Sequence, residues 1–307
     1  MGSILEEAGK TLTPSPLFST GVLGASLLTL GGSDTQKQTY LPQIVEGGLT
    51  TALALEEGNR HAPHFIQTEA KKKDDKFVIS GSKNFVIDGH SSKLLMVVAR
   101  TEGSIDDASG ITIFLVDPED QGVEITKTIM VDSRNAANIE FNNVSVSSDN
   151  ILGEENNGAS LLELVLDRAQ IAISAEMLGN ASQAFDLTLQ YLKERKQFGA
   201  VIGTFQALQH RAAEMYSELE LTKSSIIAAC NAVDDNSNDL RRMASLAKFK
   251  SGETNHLITN EAVQMHGGVG VTDEYDVGLF MKRARVTEQI FGNSEYHIDR
   301  YATLSDY

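Results

Sequence analysis

The spacing of apolar residues changes twice along this chain, and that change restricts the fold more than any other feature. Residues 4–46 and 159–306 place apolar side chains three or four positions apart, which is typical of helices that bury one face. Residues 49–151 instead contain short apolar or alternating runs separated by Gly, Asp, Asn and Ser, which is typical of antiparallel strands joined by turns. A helical, then β, then helical order predicts an α+β protein.

The three zones predict three domains: a helical domain at 1–48, a β domain at 49–153 and a second helical domain at 154–307. In the first domain Ser33 begins a helix, because a Ser side chain accepts hydrogen bonds from the first helical N–H groups. The middle domain is predicted to be an antiparallel β-barrel or sandwich, and the last a four-helix-bundle-type domain. Its helices are predicted at about 161–191, 205–233, 239–265, 277–285 and 289–302.

Composition excludes several classes of partner. The net charge of −16 repels nucleic acid and anionic membrane surfaces. The most apolar segment, Val22–Leu30, is too short to span a bilayer. Cys230 is the only cysteine, so no internal disulfide or Cys-based metal cluster forms. His61 and His64 share a loop without a third ligand, so no metal site is predicted. Without a basic and apolar leader, the expectation is a soluble cytoplasmic protein.

Two sequence motifs contain residues that could bind a cofactor. Glu194–Gly199 (ERKQFG) follows one predicted helix, and Gln264–Gly268 (QMHGG) ends another. Within them an Arg can neutralise a pyrophosphate, a Gln amide can form hydrogen bonds, and paired glycines let backbone N–H groups approach an anion. Taken singly, each motif also has an ordinary explanation, as a solvated helix end or a glycine C-cap. Taken together in this domain order, they favour a cofactor site. The glycines follow a helix, so they are not a Rossmann fingerprint.

With these motifs the chain resembles the acyl-CoA dehydrogenases, FAD enzymes that oxidise acyl-CoA thioesters. The resemblance extends through Leu41-Pro42, Gly81–Lys83 and Asn150–Gly153, although family members normally have several more helices before Ile4. In the family, the C-terminal bundle of one subunit binds the adenosine and pyrophosphate of its neighbour's FAD. The resemblance implies this role for Arg195, Gln197, Phe198, Gln264, Gly267 and Gly268.

The residues that face the flavin ring in the family are altered here. Leu55 stands where the family has the Thr of Thr-Glu-Pro, and Ile87 replaces a Thr whose hydroxyl faces the flavin. Neither side chain can form a hydrogen bond. Ser294 replaces a further Thr and keeps a hydroxyl for a FAD contact. The chain thus keeps the residues that serve a neighbour's FAD and changes those that serve its own.

The catalytic base is also altered. The family's Tyr-Glu-Gly-Thr appears here as Phe291–Ser294, with Gly292 at the position of the catalytic Glu. Members with branched or long substrates carry the base on a bundle helix, immediately before an arginine. Asp167 precedes Arg168 in this way, so the resemblance implies that Asp167 is the base and that Arg168 contacts substrate. The alternative is that Asp167 pairs with a neighbouring helix residue and does no chemistry.

The leading hypothesis is a subunit of a FAD-dependent acyl-CoA dehydrogenase that works in a hetero-oligomer on a bulky, branched or steroid-type acyl-CoA. The resemblance implies that an electron-transfer flavoprotein accepts the electrons. One alternative is a self-sufficient homo-oligomeric dehydrogenase with Asp167 as base. The other is a cofactor-free interaction protein on the same fold, since fold alone does not guarantee function.

Overall fold

The computed structural model describes residues 1–307 and confirms the α+β class. The helices are α1 (Gly2–Lys10), α2 (Ala25–Gly31), α3 (Asp34–Val45), α4 (Gly158–Glu194), α5 (Gln206–Asp234), α6 (Leu240–His266), α7 (Val277–Gln289) and α8 (Ser294–Thr303). The strands are β1 (Thr51–Ala54), β2 (Glu69–Lys73), β3 (Lys76–Ile87), β4 (Leu94–Arg100), β5 (Ile111–Val116), β6 (Val123–Ile129), β7 (Asn135–Ser147), β8 (Ile151–Leu152), β9 (Lys196–Gln197) and β10 (Ala200–Val201). A π-helical segment, Leu17–Gly24, precedes α2.

The middle zone forms one large sheet with the strand order β6-β7-β3-β2-β4-β5-β8, and β1 joins it by pairing with β4. Most pairs are antiparallel, as predicted, but β1 and β2 each run parallel to β4, so the sheet is mixed. Every residue of β4 and β5 is buried, which explains why both strands are continuous apolar runs in the sequence. Phe77 and Phe114 pack together in the core beside the sheet, with ring centroids 5.1 Å apart.

The chain packs into two compact units, Ser15–Ala169 and Met1–Pro14 with Gln170–Tyr307. This grouping divides the predicted 1–48 domain. Helix α3 belongs with the sheet, because the Gln36 amide donates to the carbonyl oxygens of Asp149 and Ile151 at 3.1 and 2.8 Å.

Helix α1 packs instead against α4 within the second unit. A Cβ at Gly9 would lie 2.1 Å from the carbonyl oxygen of Glu176, and one at Gly179 would lie 1.9 Å from that of Glu6. Each helix therefore uses a glycine to let the partner backbone approach closely.

Helix boundaries follow local chemistry. The predicted start at Ser33 is confirmed by a capping box, in which the Ser33 hydroxyl accepts from the Gln36 N–H and the Gln36 side chain accepts from the Ser33 N–H. The helix predicted from 289 begins only at Ser294, because residues 290–293 form a turn. Phe291 (φ +55°) and Gly292 (φ +102°) are both left-handed there, which no helix can accommodate.

None of the helices combines the length and apolarity that crossing a bilayer requires.

We expect Gly179→Ala to lower the free energy of unfolding by about 1–3 kcal/mol, because its Cβ would overlap the α1 backbone. Urea unfolding followed by circular dichroism measures the change. Gly48→Ala is the matched control, since a Cβ there would meet its nearest neighbour at 3.6 Å, and it should change stability by less than about 0.5 kcal/mol. Equal stability of the two variants would contradict the close contact between α1 and α4.

Candidate functional site

The first predicted motif forms a short hairpin at the end of α4. Gln197 on β9 pairs with Ala200 on β10, and Phe198 (φ +54°) and Gly199 (φ +79°) form the two-residue turn. Two positive φ angles make this a type I′ turn, for which Asn-Gly is the favoured sequence. A phenylalanine at the first position is strained; its side chain is 92% exposed, and the Phe205 ring is a neighbour at a centroid distance of 6.4 Å. Backbone strain of this kind is typical of functional sites.

The second motif, Gln264–Gly268, exposes its backbone at two adjacent glycines. Gly267 (φ +65°) ends α6 with its N–H donating to the Gln264 carbonyl, so the anion-binding prediction rests mainly on the Gly268 backbone. Both glycines are exposed, and a Cβ at either would meet nothing within 4 Å. The Gln264 side chain is exposed beside them. This open strip of backbone is suited to a close approach by a phosphate or ribose group.

An aromatic cluster brings the two motifs together. The rings of Tyr191 and His266 stack with their centroids 4.2 Å apart, and the Tyr191 hydroxyl donates to the His266 carbonyl oxygen at 3.3 Å. Tyr275 packs its edge against Tyr191 at 5.3 Å. Because Tyr191 lies one turn before Arg195, this stack places the end of α4 beside the end of α6. The sequence did not identify Tyr191 or Tyr275, although the position of Tyr191 four residues before Arg195 was a usable signal.

The loop that would face a flavin is closed on itself by a buried ion pair. The Glu57 carboxylate accepts hydrogen bonds from Lys83 Nζ at 2.6 Å and from the backbone N–H groups of Gln67 and Thr68 at 2.5 and 3.0 Å. Lys83 also donates to the Leu55 carbonyl oxygen at 3.0 Å.

Burial lowers the pKa of Lys83 to about 8, with Glu57 opposing that shift. Burial raises the pKa of Glu57, but the charge and hydrogen bond of Lys83 lower it further than burial raises it, so it lies below the usual value. The pair is therefore ionised at neutral pH.

Glu56, His61 and Asn84 are also engaged within this loop. Glu56 Oε1 lies 2.5 Å from His61 Nδ1, and Asn84 donates from its backbone and its side chain to the carbonyl oxygens of Glu56 and Glu57, both at 2.7 Å. The Arg100 guanidinium holds the far end of the loop by donating to the His64 carbonyl oxygen at 3.0 Å. The Asn84 amide and the Glu57–Lys83 pair are engaged within the chain, and Leu55 and Ile87 have no hydrogen-bonding side chain, so the residues at these positions do not fit a flavin ring. The two C-terminal motifs fit the adenosine and pyrophosphate half of FAD.

Gly292, at the position of the family's catalytic Glu, has no side chain in the sequence and no room for one in the structure. An ideal Cβ at Gly292 would lie 2.4 Å from the Tyr296 ring and 3.0 Å from His297 Nε2, and φ is +102°. His297 is fully buried, with Nε2 3.0 Å from the Phe291 carbonyl oxygen. A carboxylate side chain cannot be introduced at Gly292 without rebuilding this turn.

The predicted catalytic and substrate residues lie on α4. Asp167 is 1% exposed, and Arg168 is half-buried with its Nε atom buried and without a hydrogen-bond partner. Glu163 is one turn before Asp167 on the same side of the helix, 3.0 Å from His64 Nε2. Ser294 is the first residue of α8, and its hydroxyl is likewise buried and without a partner. Arg168 and Ser294 therefore each keep a polar atom for another group.

Lys248, on α6, is a further residue that sequence reasoning missed. It is 1% exposed and donates to the carbonyl oxygens of Glu288 and Gly292, both at 2.9 Å. Burial lowers its pKa to about 7. In sequence it reads as an ordinary helical lysine.

Comparison with known proteins agrees with the resemblance. Residues 52–144 match the acyl-CoA dehydrogenase middle domain, and residues 156–303 match the acyl-CoA dehydrogenase C-terminal domain. The probable acyl-CoA dehydrogenase YngJ of Bacillus subtilis is 33% identical over 95% of this chain and 78% of its own length. The short/branched chain specific acyl-CoA dehydrogenases of Bos taurus and Rattus norvegicus are 32% identical, and the chain spans 63% and 64% of their lengths.

Solved structures agree as well. Butyryl-CoA dehydrogenase from Megasphaera elsdenii is 28% identical and superposes with a TM-score of 0.92, covering 99% of this chain and 80% of its own. The Tcur3481–Tcur3483 steroid acyl-CoA dehydrogenase is 29% identical with a TM-score of 0.88, over 99% of this chain and 79% of its own. The chain belongs to the acyl-CoA dehydrogenase family, a family of flavoprotein oxidoreductases that are generally FAD-dependent.

We expect Phe198→Asn to raise the free energy of unfolding by about 1 kcal/mol, because Asn tolerates the left-handed backbone that strains Phe. Urea unfolding of the purified chain measures the gain. Ile129→Asn is the control: Ile129 is 95% exposed but is not left-handed, so this change should bring no gain. An unchanged or lower stability for Phe198→Asn would show that the turn is not strained.

Proposed function

We propose that this chain is a subunit of a FAD-dependent acyl-CoA dehydrogenase that works in a hetero-oligomer with a different, partner subunit. The observation that carries the proposal is an asymmetry between two faces. The strained, exposed Phe198 and the open Gly267-Gly268 backbone are suited to a cofactor held by another subunit. In the loop that would hold this chain's own flavin, Glu57 is paired internally with Lys83.

The proposed substrate is a bulky acyl-CoA with a branched or steroid-type acyl group. Relatives named for short or branched chains and for a steroid support this assignment, and the steroid enzyme is designated by two components, Tcur3481 and Tcur3483. The net charge of −16 means that an anionic CoA ester must be met by local cations. Arg168, with a buried donor that has no partner, is the candidate on α4.

In the proposed reaction a carboxylate would remove the α proton of the thioester; FAD, when bound, would supply the acceptor for the hydride of the β carbon, and an electron-transfer flavoprotein is the proposed electron acceptor. In this proposal, residues of this chain bind and orient the cofactor. Arg195 neutralises pyrophosphate charge with its forked donors, and Gln197 and Gln264 supply amide hydrogen bonds. Phe198 would pack on the cofactor, and the Gly268 backbone would lie against it.

The proposal has two versions, which differ in the residue that supplies the catalytic base. Gly292 cannot supply it, so the carboxylate comes either from Asp167 or from the partner subunit. Asp167 is buried, so this role requires that substrate reach it. A homo-oligomeric enzyme requires Asp167 to act, whereas a hetero-oligomer does not.

The test is to purify the chain alone and together with candidate partner subunits, and to record the flavin absorbance of each. The chain alone should be nearly colourless, because each hydrogen bond that Leu55 and Ile87 fail to make to the flavin costs about 1–3 kcal/mol. The assembly should be yellow. A stoichiometric flavoprotein from the chain alone would favour the homo-oligomeric enzyme, and a colourless assembly with every partner would favour the cofactor-free interaction protein.

Arg195→Ala should weaken FAD retention by the assembly roughly 10- to 100-fold, because a charge-assisted bond to pyrophosphate is worth about 1.5–3 kcal/mol. Flavin content after serial dilution measures the loss. Lys193→Ala, also at the exposed end of α4, is the control and should retain flavin like wild type. Identical retention by all three proteins would mean that Arg195 is only a solvated helix end.

Asp167→Asn keeps the size of the side chain but removes proton abstraction. If Asp167 is the base, anaerobic bleaching of flavin by acyl-CoA should slow by at least about 100-fold while CoA ligands still bind. If the partner supplies the base, bleaching should stay within a few-fold of wild type. Bleaching at the wild-type rate would exclude Asp167 from the chemistry and assign this chain a supporting role.

A further inference from the structure

The turn between α7 and α8 holds two consecutive left-handed residues. Phe291 has φ +55° and Gly292 has φ +102°. A left-handed backbone is unfavourable for a side chain such as Phe, and it persists only where surrounding contacts determine it. The turn ends at Ser294, whose buried hydroxyl has no partner.

The carbonyl oxygens of this turn are held by donors from three helices. Lys248 Nζ on α6 donates to those of Glu288 and Gly292, both at 2.9 Å. The Phe291 carbonyl oxygen accepts from His297 Nε2 at 3.0 Å and from the Gln170 amide at 3.4 Å. Carbonyls buried without such donors would be costly, so these contacts stabilise the strained shape.

Lys248 is suited to this task at any physiological pH. It is fully enclosed, and Glu288 is the one charged group whose field acts on it. Burial lowers its pKa to about 7. The neutral amine still has two N–H groups, which match the two carbonyl oxygens, so loss of the third proton leaves both hydrogen bonds intact.

Helix α6 also shapes the other end of the turn. Gly252 lies one turn after Lys248 on the same side of α6, and a Cβ there would lie 2.9 Å from the Ser294 hydroxyl oxygen. Lys248 therefore holds the carbonyls of the turn, and the missing side chain of Gly252 makes room for the hydroxyl at its end.

We infer that Lys248 is a positioning residue, which holds residues 290–294 in one shape and so fixes the position of the Ser294 hydroxyl. The inference rests on the proposed function, in which Ser294 contacts FAD. It differs from a purely structural role, in which Lys248 fills the bundle interior and the shape of the turn has no effect on ligand binding.

The first experiment uses the full chain without partner or cofactor, so it does not depend on the proposed function. Lys248→Met keeps the length of the side chain and removes its donors. Amide hydrogen exchange at residues 290–294 should accelerate by at least about tenfold, while the middle of α6 changes little. Lys250→Met, on the same helix and paired with Glu218 at a half-buried site, is the control and should leave the turn unchanged. Unchanged exchange at 290–294 in Lys248→Met would overturn the inference, as would a uniform increase across the bundle.

The second experiment measures FAD retention by the assembly under conditions where every variant is folded. Lys248→Met and Gly252→Ala should each lower retention by at least about fivefold, because both displace Ser294 by independent routes. Gly252→Ala leaves the lysine contacts in place, so it separates the position of Ser294 from the stability of the bundle. If the turn is loosened but both variants retain FAD like wild type, Lys248 is structural only. A wild-type assembly that binds no FAD would contradict the proposed function, and the exchange result would still decide whether Lys248 shapes the turn.

Discussion

A charged group that leaves water must be paired or hydrogen-bonded, and this requirement organises both halves of the molecule. In the β unit, the buried Lys83 is satisfied by Glu57 and by a backbone carbonyl, and the pair closes the loop that precedes β2. In the helical unit, Arg283 is paired with Glu176, and Lys248 is satisfied by carbonyl oxygens alone. Each of these contacts consumes groups that could otherwise face a ligand.

At the two C-terminal motifs, in contrast, strained or uncovered groups are exposed to solvent. There the chain accepts a strained backbone at Phe198 and leaves a large aromatic surface in solvent. It also keeps two adjacent glycines whose side-chain space is empty. These exposed features and the internally paired loop are the observations on which the proposal of a partner subunit rests.

The stack of Tyr191 on His266 makes this division possible. It lies behind the exposed residues and joins the ends of α4 and α6, which are distant in sequence. Because aromatic rings are rigid and bury a large area, the stack can hold the two motifs at a constant spacing without itself contacting a ligand. In the turn after α7, buried donors likewise maintain a strained backbone, which fixes the position of the Ser294 hydroxyl.

The sequence alone determined the α+β class, the order of the zones and the family, because these depend on periodicity and on short motifs that are local in the chain. It also identified the changes at Leu55, Ile87 and Gly292, since a missing hydrogen-bonding or acidic group is visible in the residue type. Only the tertiary structure decided the rest. It paired Glu57 with Lys83, stacked Tyr191 on His266 and placed Lys248 on the turn around Gly292, because each of these contacts joins residues far apart in the chain. It moved the start of α8 to Ser294, because left-handed backbone at Phe291 and Gly292 is held by buried donors from other helices.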